Sequence, residues 1–314
     1  MTRYSVVMTA PRLAPSAVAL LRAAGCAIHY TPPYPSPEAL AELVRRVRAD
    51  AILSRQGKVG ADVMDASAAL RVVARHGVGV DDVDLEAARA RGLLVTRAPG
   101  SNTVAVAEHT LALILALAKS LRPFGAAIEA GGWRGGETQA RDIAGLRLGL
   151  IGLGDIGRAV RPLAEAFGMA VAGCDEAAVA AGGLPALLGV SDVVSLHCPL
   201  TPRTRHLIDA AALAAMPAGS FLVNTARGGI VDEAALLAAL DRGHLAGAAL
   251  DVFEDEPPPA GHPLRRHLRV IATPHVAGVT PDALDRMGVM AAECIVAALT
   301  GQAVPPERVV VAAR

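Results

Sequence analysis

The sequence predicts an α/β protein of two doubly wound domains, the second interrupting the first. Three observations carry this. The chain has 314 residues, more than a single core accommodates, since cores stop growing near ~250–300 residues. Short apolar runs alternate with helical patterns along the first third of the chain, and the alternation starts afresh mid-chain. Hydrophobic residues make up 53% and aromatics only 3%, so the apolar content is Ala, Val and Leu, which suits helices packed on a buried sheet better than a sandwich or a carbohydrate groove.

Strands are predicted at 5–9, 27–30, 51–54, 71–74 and 93–96, with helices between them at 14–24, 37–48, 61–69 and 85–91. Strands alternating with helices imply a parallel sheet covered on both faces. The punctuation agrees. Ser36, Pro37 and Glu38 supply an N-cap, a first-turn proline and an acid at the positive end of the dipole, and Gly25 and Gly92 fit helix C-termini. At Ala98-Pro99-Gly100 the pattern breaks. A helix over 104–121 follows, with Ser101 or Asn102 as its cap. It is apolar nearly all round and so belongs in a core or a subunit interface. Residues 125–142 are Gly-rich and polar and are expected to form an arm or loop. A strand at 146–151 opens the second alternating region, which runs to about His275, and a helix over 282–300 ends the pattern.

Composition excludes several function classes. Lys+Arg and Asp+Glu number 30 each, giving a net charge of +0, which argues against a nucleic-acid surface, because phosphate binding needs a cationic excess. The longest apolar run, 104–118, is interrupted by Glu108 and His109 and falls short of the ~20 residues of a membrane span. The opening MTRYSVVMTAP lacks the pattern of a signal peptide. The four cysteines form no C-x-x-C pair and read as reduced thiols of a cytoplasmic protein rather than as metal ligands.

The strand at 146–151 runs into Gly152-Leu153-Gly154-Asp155-Ile156-Gly157, followed by a helix with Ile156, Val160, Leu163, Ala164 and Phe167 on its apolar face. Gly152 permits the tight turn, Gly154 lets backbone approach a pyrophosphate, and Gly157 lets helix and strand pack closely. The helix N-terminus then meets the phosphates with its unpaired N–H groups. A second strand at 169–174 ends in Asp175, placed as a ribose-binding acid should be. A carboxylate there accepts from a 2′-hydroxyl and repels a 2′-phosphate, and no Arg follows closely, so the cofactor is expected to be NAD rather than NADP.

Three later stretches, FLVNTARGG (221–229), AALDVFEDEP (248–257) and VIATPHVAG (270–278), each read as a strand delivering a polar residue at its C-terminal end, the edge where open α/β sheets bind ligands. Together with RHGVGVDDVDLEAA, SNTVAVAEHT, GLRLGLIGLGDIGRAV and SDVVSLHCPLTPRTRHLI, they give a chain that resembles the D-isomer-specific 2-hydroxyacid dehydrogenase family over nearly its whole length. The resemblance implies a Rossmann NAD-binding domain over 99–283, inserted into a flavodoxin-like substrate domain formed by 1–98 and 284–314. It makes Arg227, Glu256 and His275 the catalytic residues. Each suits its role: Arg227 can grip a planar carboxylate with a forked, permanently charged guanidinium. Histidine titrates near neutrality and can exchange the hydroxyl proton, and a neighbouring glutamate orients the ring and favours its protonated form.

The resemblance also places Asp155, Ile156, Cys198, Pro199, Thr225, Ala226, Asp251 and Gly278 at the NAD site. It has Val78 and Gly79 offering backbone N–H groups to the substrate carboxylate, and Arg55, Arg75 and Arg134 where phosphoglycerate dehydrogenases carry phosphate-binding residues. The partner is therefore expected to be a small anionic 2-hydroxy or 2-oxo acid, 3-phosphoglycerate first, then hydroxypyruvate or glyoxylate, with neither nucleic acid nor membrane involved. The helix at 104–121 and the arm after it look like the family's homodimer interface. A competing class is a non-catalytic NAD-sensing corepressor, which shares the fold.

The sequence departs from the family pattern at two places. Asp175 and Asp192 are too close in sequence for a full helix–strand–helix insert, so the helix and short strand that shape the adenine side of the pocket are expected to be missing and NAD binding to be weak. Asp82 stands where relatives usually have Asn, a position expected to support a turn.

Overall fold

In the computed structural model, which describes residues 3–133 and 140–313, the chain forms two compact units, Met1–Asn102 with Val279–Arg314, and Thr103–Gly278. The breaks fall after Asn102 and Gly278 rather than after 98 and 283. The reason is local: the helix that opens the second unit begins at Thr103, and Thr280 caps the returning helix by accepting from Ala283 N–H.

The first unit contains β1 (Tyr4–Met8), α1 (Pro15–Ala23), β2 (Cys26–Tyr30), α2 (Pro37–Val47), β3 (Ala51–Ser54), α3 (Ala61–Asp65), β4 (Val72–Arg75), α4 (Leu85–Ala90) and β5 (Leu94–Thr96). Ser36 caps α2 through Ala39 N–H, and Gly25 and Gly92 adopt the left-handed conformation that lets the chain leave α1 and α4.

In the second unit α5 (Thr103–Ala118) leads into α6 (Leu121–Glu129) across a 61° bend. The helix expected over 104–121 thus ends early, and part of the expected arm is helical. Ser120 turns the chain with φ 51, and Pro123, in the first turn of α6, is tolerated because the N–H it lacks has no intrahelical partner there. Arg134 lies outside the described residues. Next come β6 (Arg147–Ile151), α7 (Asp155–Ala166), β7 (Ala170–Cys174), α8 (Glu176–Ala180), α9 (Leu184–Leu188), β8 (Val193–Leu196), α10 (Ala210–Ala215), β9 (Ser220–Asn224), α11 (Glu233–Asp241), β10 (Leu245–Leu250), α12 (Pro263–Arg266) and β11 (Val270–Ala272). The chain then returns to the first unit with α13 (Pro281–Thr300), which packs on α1 and β4, and with β12 (Val309–Val311).

The first sheet has the order β2-β1-β3-β4-β5-β12, parallel except for β12, which pairs antiparallel with β5. Its first five strands follow the flavodoxin-like order. The short apolar run of β12 escaped the sequence reading because three residues carry no periodicity. The second sheet, β7-β6-β8-β9-β10-β11, is parallel throughout. Strand order reverses between β6 and β8, the switch point at which such sheets bind dinucleotides. Both faces are covered, and Leu148, Leu150, Val193, Leu196, Leu222, Ala248 and Ala249 are fully out of solvent, as expected of central parallel strands. β7 is an edge strand, and Ala170, Ala172 and Gly173 on it are exposed. From β7 the chain reaches β8 through only the short α8 and α9. No strand lies beyond β7 among the described residues, so the shortened insert has its structural counterpart. Among the described residues no single helix is long and apolar enough to cross a membrane.

Candidate functional site

Every strand of the second sheet is parallel, so all its C-terminal ends open on one edge. The residues singled out between 152 and 278 follow those ends. After β6 the chain turns at Gly152, with φ +101. A Cβ on Gly152 would stand 2.6 Å from Cys198 N and His197 C, and one on Gly157 would meet Gly152 O at 2.1 Å. Both glycines are therefore required by close backbone approach. Gly154 is different: nothing lies within 4 Å of where its Cβ would be, which leaves its backbone open to a ligand. No side chain caps α7 at Gly154, so the N-terminal N–H groups of a 12-residue helix are available to an anion. These features fit a dinucleotide pyrophosphate. Asp155 is exposed and paired with Arg158 at 2.7 Å, and Ile156 is half-buried.

Asp175 follows β7 and caps α8, accepting from Ala178 N–H at 2.9 Å. His197, Cys198 and Pro199 follow β8. Burial pushes the Cys198 thiol up to about 11, which disfavours the thiolate a nucleophile would need. Burial holds His197 down to about 4, and its neutral ring bonds Ser195 Oγ through Nε2 at 2.9 Å.

Buried Asn224 shapes the turn after β9. It accepts from Ala226 N–H at 3.0 Å and donates to the Arg227 carbonyl at 2.9 Å. Thr225 is tied to Thr110 of α5, with the two hydroxyls 2.9 Å apart. Arg227 is half-buried and donates from Nη1 to the Ala226 carbonyl. Its neighbour Gly228 lies directly on the next loop, because a Cβ there would be 1.9 Å from Phe253 C. This contact joins the turn that carries Arg227 to the loop that carries Glu256. The same loop is pinned at Glu254, whose carboxylate pairs with Arg205 at 2.8 Å and whose N–H donates to Glu233 at 3.0 Å.

Glu256 and His275 meet. Glu256 Oε2 lies 2.6 Å from His275 Nδ1, and its Oε1 accepts from Phe253 N–H at 3.1 Å. The carboxylate thus fixes Nδ1 as the protonated nitrogen. His275 Nε2 makes no hydrogen bond among the described residues, and the side chain is 47% exposed. Asp251 is 1% exposed and its carboxylate is occupied: Oδ1 accepts from Thr273 Oγ1 at 2.6 Å and Val276 N–H at 2.8 Å, and Oδ2 from Ala277 N–H at 2.9 Å. Gly278 ends this turn.

The first unit carries the remaining residues. Arg75 clips the turn after β4. Its Nε donates to Gly79 O at 2.8 Å, its Nη1 to Ser54 O and Arg55 O at 3.0 and 2.6 Å, and its Nη2 pairs with Asp82 at 3.2 Å. Asp82 therefore supports the turn, through the charge it pairs with Arg75. The N–H groups of Val78 and Gly79 donate to nothing among the described residues. Arg55 is half-buried without an ion pair among the described residues, and it lines a cavity of about 400 Å³ with Arg12 and His76. Burial, then the charge of Arg55, holds His76 down to about 4.

Sequence reasoning missed Asn224, Thr273 and Gly228. The first two are polar residues inside apolar strand patterns, and that interruption was their only signal. The requirement for glycine at 228 comes from a loop distant in sequence and left no local mark.

Residues 111–277 match the model of the D-isomer specific 2-hydroxyacid dehydrogenase, NAD binding domain. The chain belongs to the D-isomer-specific 2-hydroxyacid dehydrogenase family. NAD is accordingly the cofactor of its second unit. Over 310 residues, 96% of this chain, it is 40% identical to a D-3-phosphoglycerate dehydrogenase of Mycobacterium tuberculosis, of which it covers 58%. A D-3-phosphoglycerate dehydrogenase of Methanocaldococcus jannaschii is 40% identical over 83% of this chain and 52% of its own length. The chain thus spans somewhat more than half the length of these curated relatives. The TT0316 protein of Thermus thermophilus superimposes with a TM-score of 0.87 at 39% identity, covering 98% of this chain and 100% of its own.

Proposed function

We propose that this family member transfers hydride between NAD(H) and C2 of a small D-2-hydroxy or 2-oxo acid, with 3-phosphoglycerate and its 2-oxo form as the first candidate pair. The observation that carries the reading is the 2.6 Å pair of Glu256 and His275, placed on the same sheet edge as Arg227 and the glycine turn. When bound, NAD supplies or accepts the hydride. The protein's residues do the rest. Arg227 holds the substrate carboxylate with its planar fork. This grip sets C2 in position, and orientation is a large part of the rate. His275 Nε2 gives its proton to the carbonyl oxygen in reduction and takes it from the hydroxyl in oxidation, while Glu256 stabilises the imidazolium through Nδ1. Asp155, Ile156, Asp175, Cys198, Pro199, Thr225, Ala226 and Gly278 line the cofactor side.

A phosphate on the substrate is supported by the names of the curated relatives and by Arg55, whose guanidinium has no acid of its own among the described residues. Arg75 is committed to the turn and is not assigned this role. Hydroxypyruvate and glyoxylate are the alternative substrates: a glyoxylate reductase of Paecilomyes thermophila shares the architecture with a TM-score of 0.84 at 27% identity. We further propose a cytoplasmic homodimer. The reduced thiols suit that compartment, and α6 exposes Leu121, Phe124 and Ile128 at helical spacing, an apolar stripe that a second copy would cover.

The test is NADH oxidation by the purified protein with 3-phosphohydroxypyruvate, hydroxypyruvate and glyoxylate. Turnover highest with the phosphorylated acid supports the first candidate. Tight NADH binding without turnover on any member overturns the enzyme reading in favour of an NAD sensor.

A further inference from the structure

The loop that carries His275 is wound around a buried carboxylate, and the winding reaches a side chain with no part in the site described so far. His275 has φ +54, a left-handed conformation uncommon for a residue with a side chain. Bonds on both sides hold it there. His275 N–H donates to the Asp251 carbonyl at 2.7 Å, and the Asp251 carboxylate collects Thr273 Oγ1, Val276 N–H and Ala277 N–H. On the far side of Thr273 stands His109 of α5, its Nε2 3.2 Å from Thr273 Oγ1 and 3.8 Å from Asp251 Oδ1. Its side chain is 24% exposed, and no other ionisable side chain pairs with Asp251 among the described residues.

Donor counting fixes the direction of this chain. A hydroxyl has one proton. Thr273 gives its proton to Asp251 at 2.6 Å, since an ionised carboxylate can only accept. Thr273 Oγ1 must therefore accept from His109, so Nε2 of His109 carries a proton. The neighbouring residue, Thr110, spends its own proton on the Val106 carbonyl at 2.7 Å and so accepts from Thr225, two residues before Arg227. Consecutive residues of one helix thus brace the turns that present His275 and Arg227.

We propose that His109 is a positioning residue for His275, acting through Thr273 and Asp251; this rests on the reading of His275 as the acid–base group. Without a donor at 109, the Thr273 hydroxyl is no longer held in register with Asp251. The turn at 273–277 then loosens, and the ring of His275 loses its fixed direction.

Three variants test this: His109→Leu, which keeps bulk and removes the donor; His109→Gln, which restores an N–H at similar reach; and Thr273→Val. His109→Leu and Thr273→Val should each lower kcat by about tenfold, the scale of a small misplacement of a reacting group. NADH affinity should change less than about twofold, a bound we set because no cofactor contact is assigned to either residue. The double variant should be no worse than Thr273→Val alone, and His109→Gln should recover most of kcat. Wild-type kcat in His109→Leu, or equal impairment of the Gln and Leu variants, overturns the proposal.

A second readout does not need turnover. The proton shared by His275 Nδ1 and Glu256 should give a downfield NMR signal that shifts or broadens in His109→Leu and returns in His109→Gln. If that signal ignores position 109, the positioning role is wrong. If it responds while no 2-oxo acid is reduced, the positioning role stands and the enzyme reading fails. Should His109→Leu fail to fold, His109→Met, which also lacks a donor, carries both measurements.

Discussion

At the scale of single residues, the site divides into groups proposed to touch the ligand and groups that hold them. Arg227 belongs to the first kind, and its value lies in shape as much as in charge. Arg227→Lys keeps the charge and loses the fork, so kcat/KM for the acid should fall about 100-fold, the cost of roughly 3 kcal/mol of charge-assisted bonding. NADH affinity, read by fluorescence titration, should hardly move, and unchanged turnover in Arg227→Ala would remove Arg227 from the mechanism. His76 and His197 are buried histidines of neither kind, and they make a pH prediction. Both are held down to about 4 from 6.5 by burial. In acid the unfolded chain therefore takes up these protons before the folded one does. Their contribution is full above about pH 6.5 and is lost as the pH falls towards 4, on the order of 3 kcal/mol for each. Urea midpoints measured across that range should drop steeply, and His76→Leu, which cannot titrate at 76, should make the first unit's drop shallower.

Among the elements, the edge formed by β7 and α8 is where the shortened segment expected from sequence falls. The motif after β6 is complete, but among the described residues no strand lies beyond β7, and Asp175 caps a helix of only five residues. We expect an adenine bound beside this edge to have little to pack against, since one carboxylate oxygen of Asp175 is already spent on Ala178 N–H. Calorimetry should give an NAD Kd weaker than the low-micromolar range, and a value in or below that range would overturn the expectation of an open adenine pocket. Asp175→Ala should weaken NAD further and also cost about 1 kcal/mol in stability through the lost cap, whereas Asp175→Asn should retain the cap.

For the molecule as a whole, the question is what covers α6. Leu121 is 59% and Ile128 53% exposed on one face, and α5 before it is largely buried within its own unit. If a second copy covers this face, Leu121→Lys combined with Ile128→Glu should shift the mass in light scattering from dimer to monomer. A wild-type protein that is monomeric at micromolar concentration would end the homodimer proposal.

Local pattern along the chain was enough for the two alternating regions, most strand positions and the glycine turn, whereas Arg227, Glu256 and His275 became candidates through the resemblance of their motifs to the family's. Those signals are short-range: strand and helix periods, caps such as Ser36, and the φ +101 turn at Gly152 that only glycine takes readily. Which neighbours those residues have became visible only once the chain was folded. Arg75 is spent on a turn, Asp251 is the post around which the His275 loop winds, and Gly228 must lack a side chain because Phe253 lies against it. Folding also turns part of an expected loop into α6 and adds β12 to the first sheet. For these contacts the partners lie apart in sequence, and a pattern of neighbours along the chain holds no record of contacts made across it.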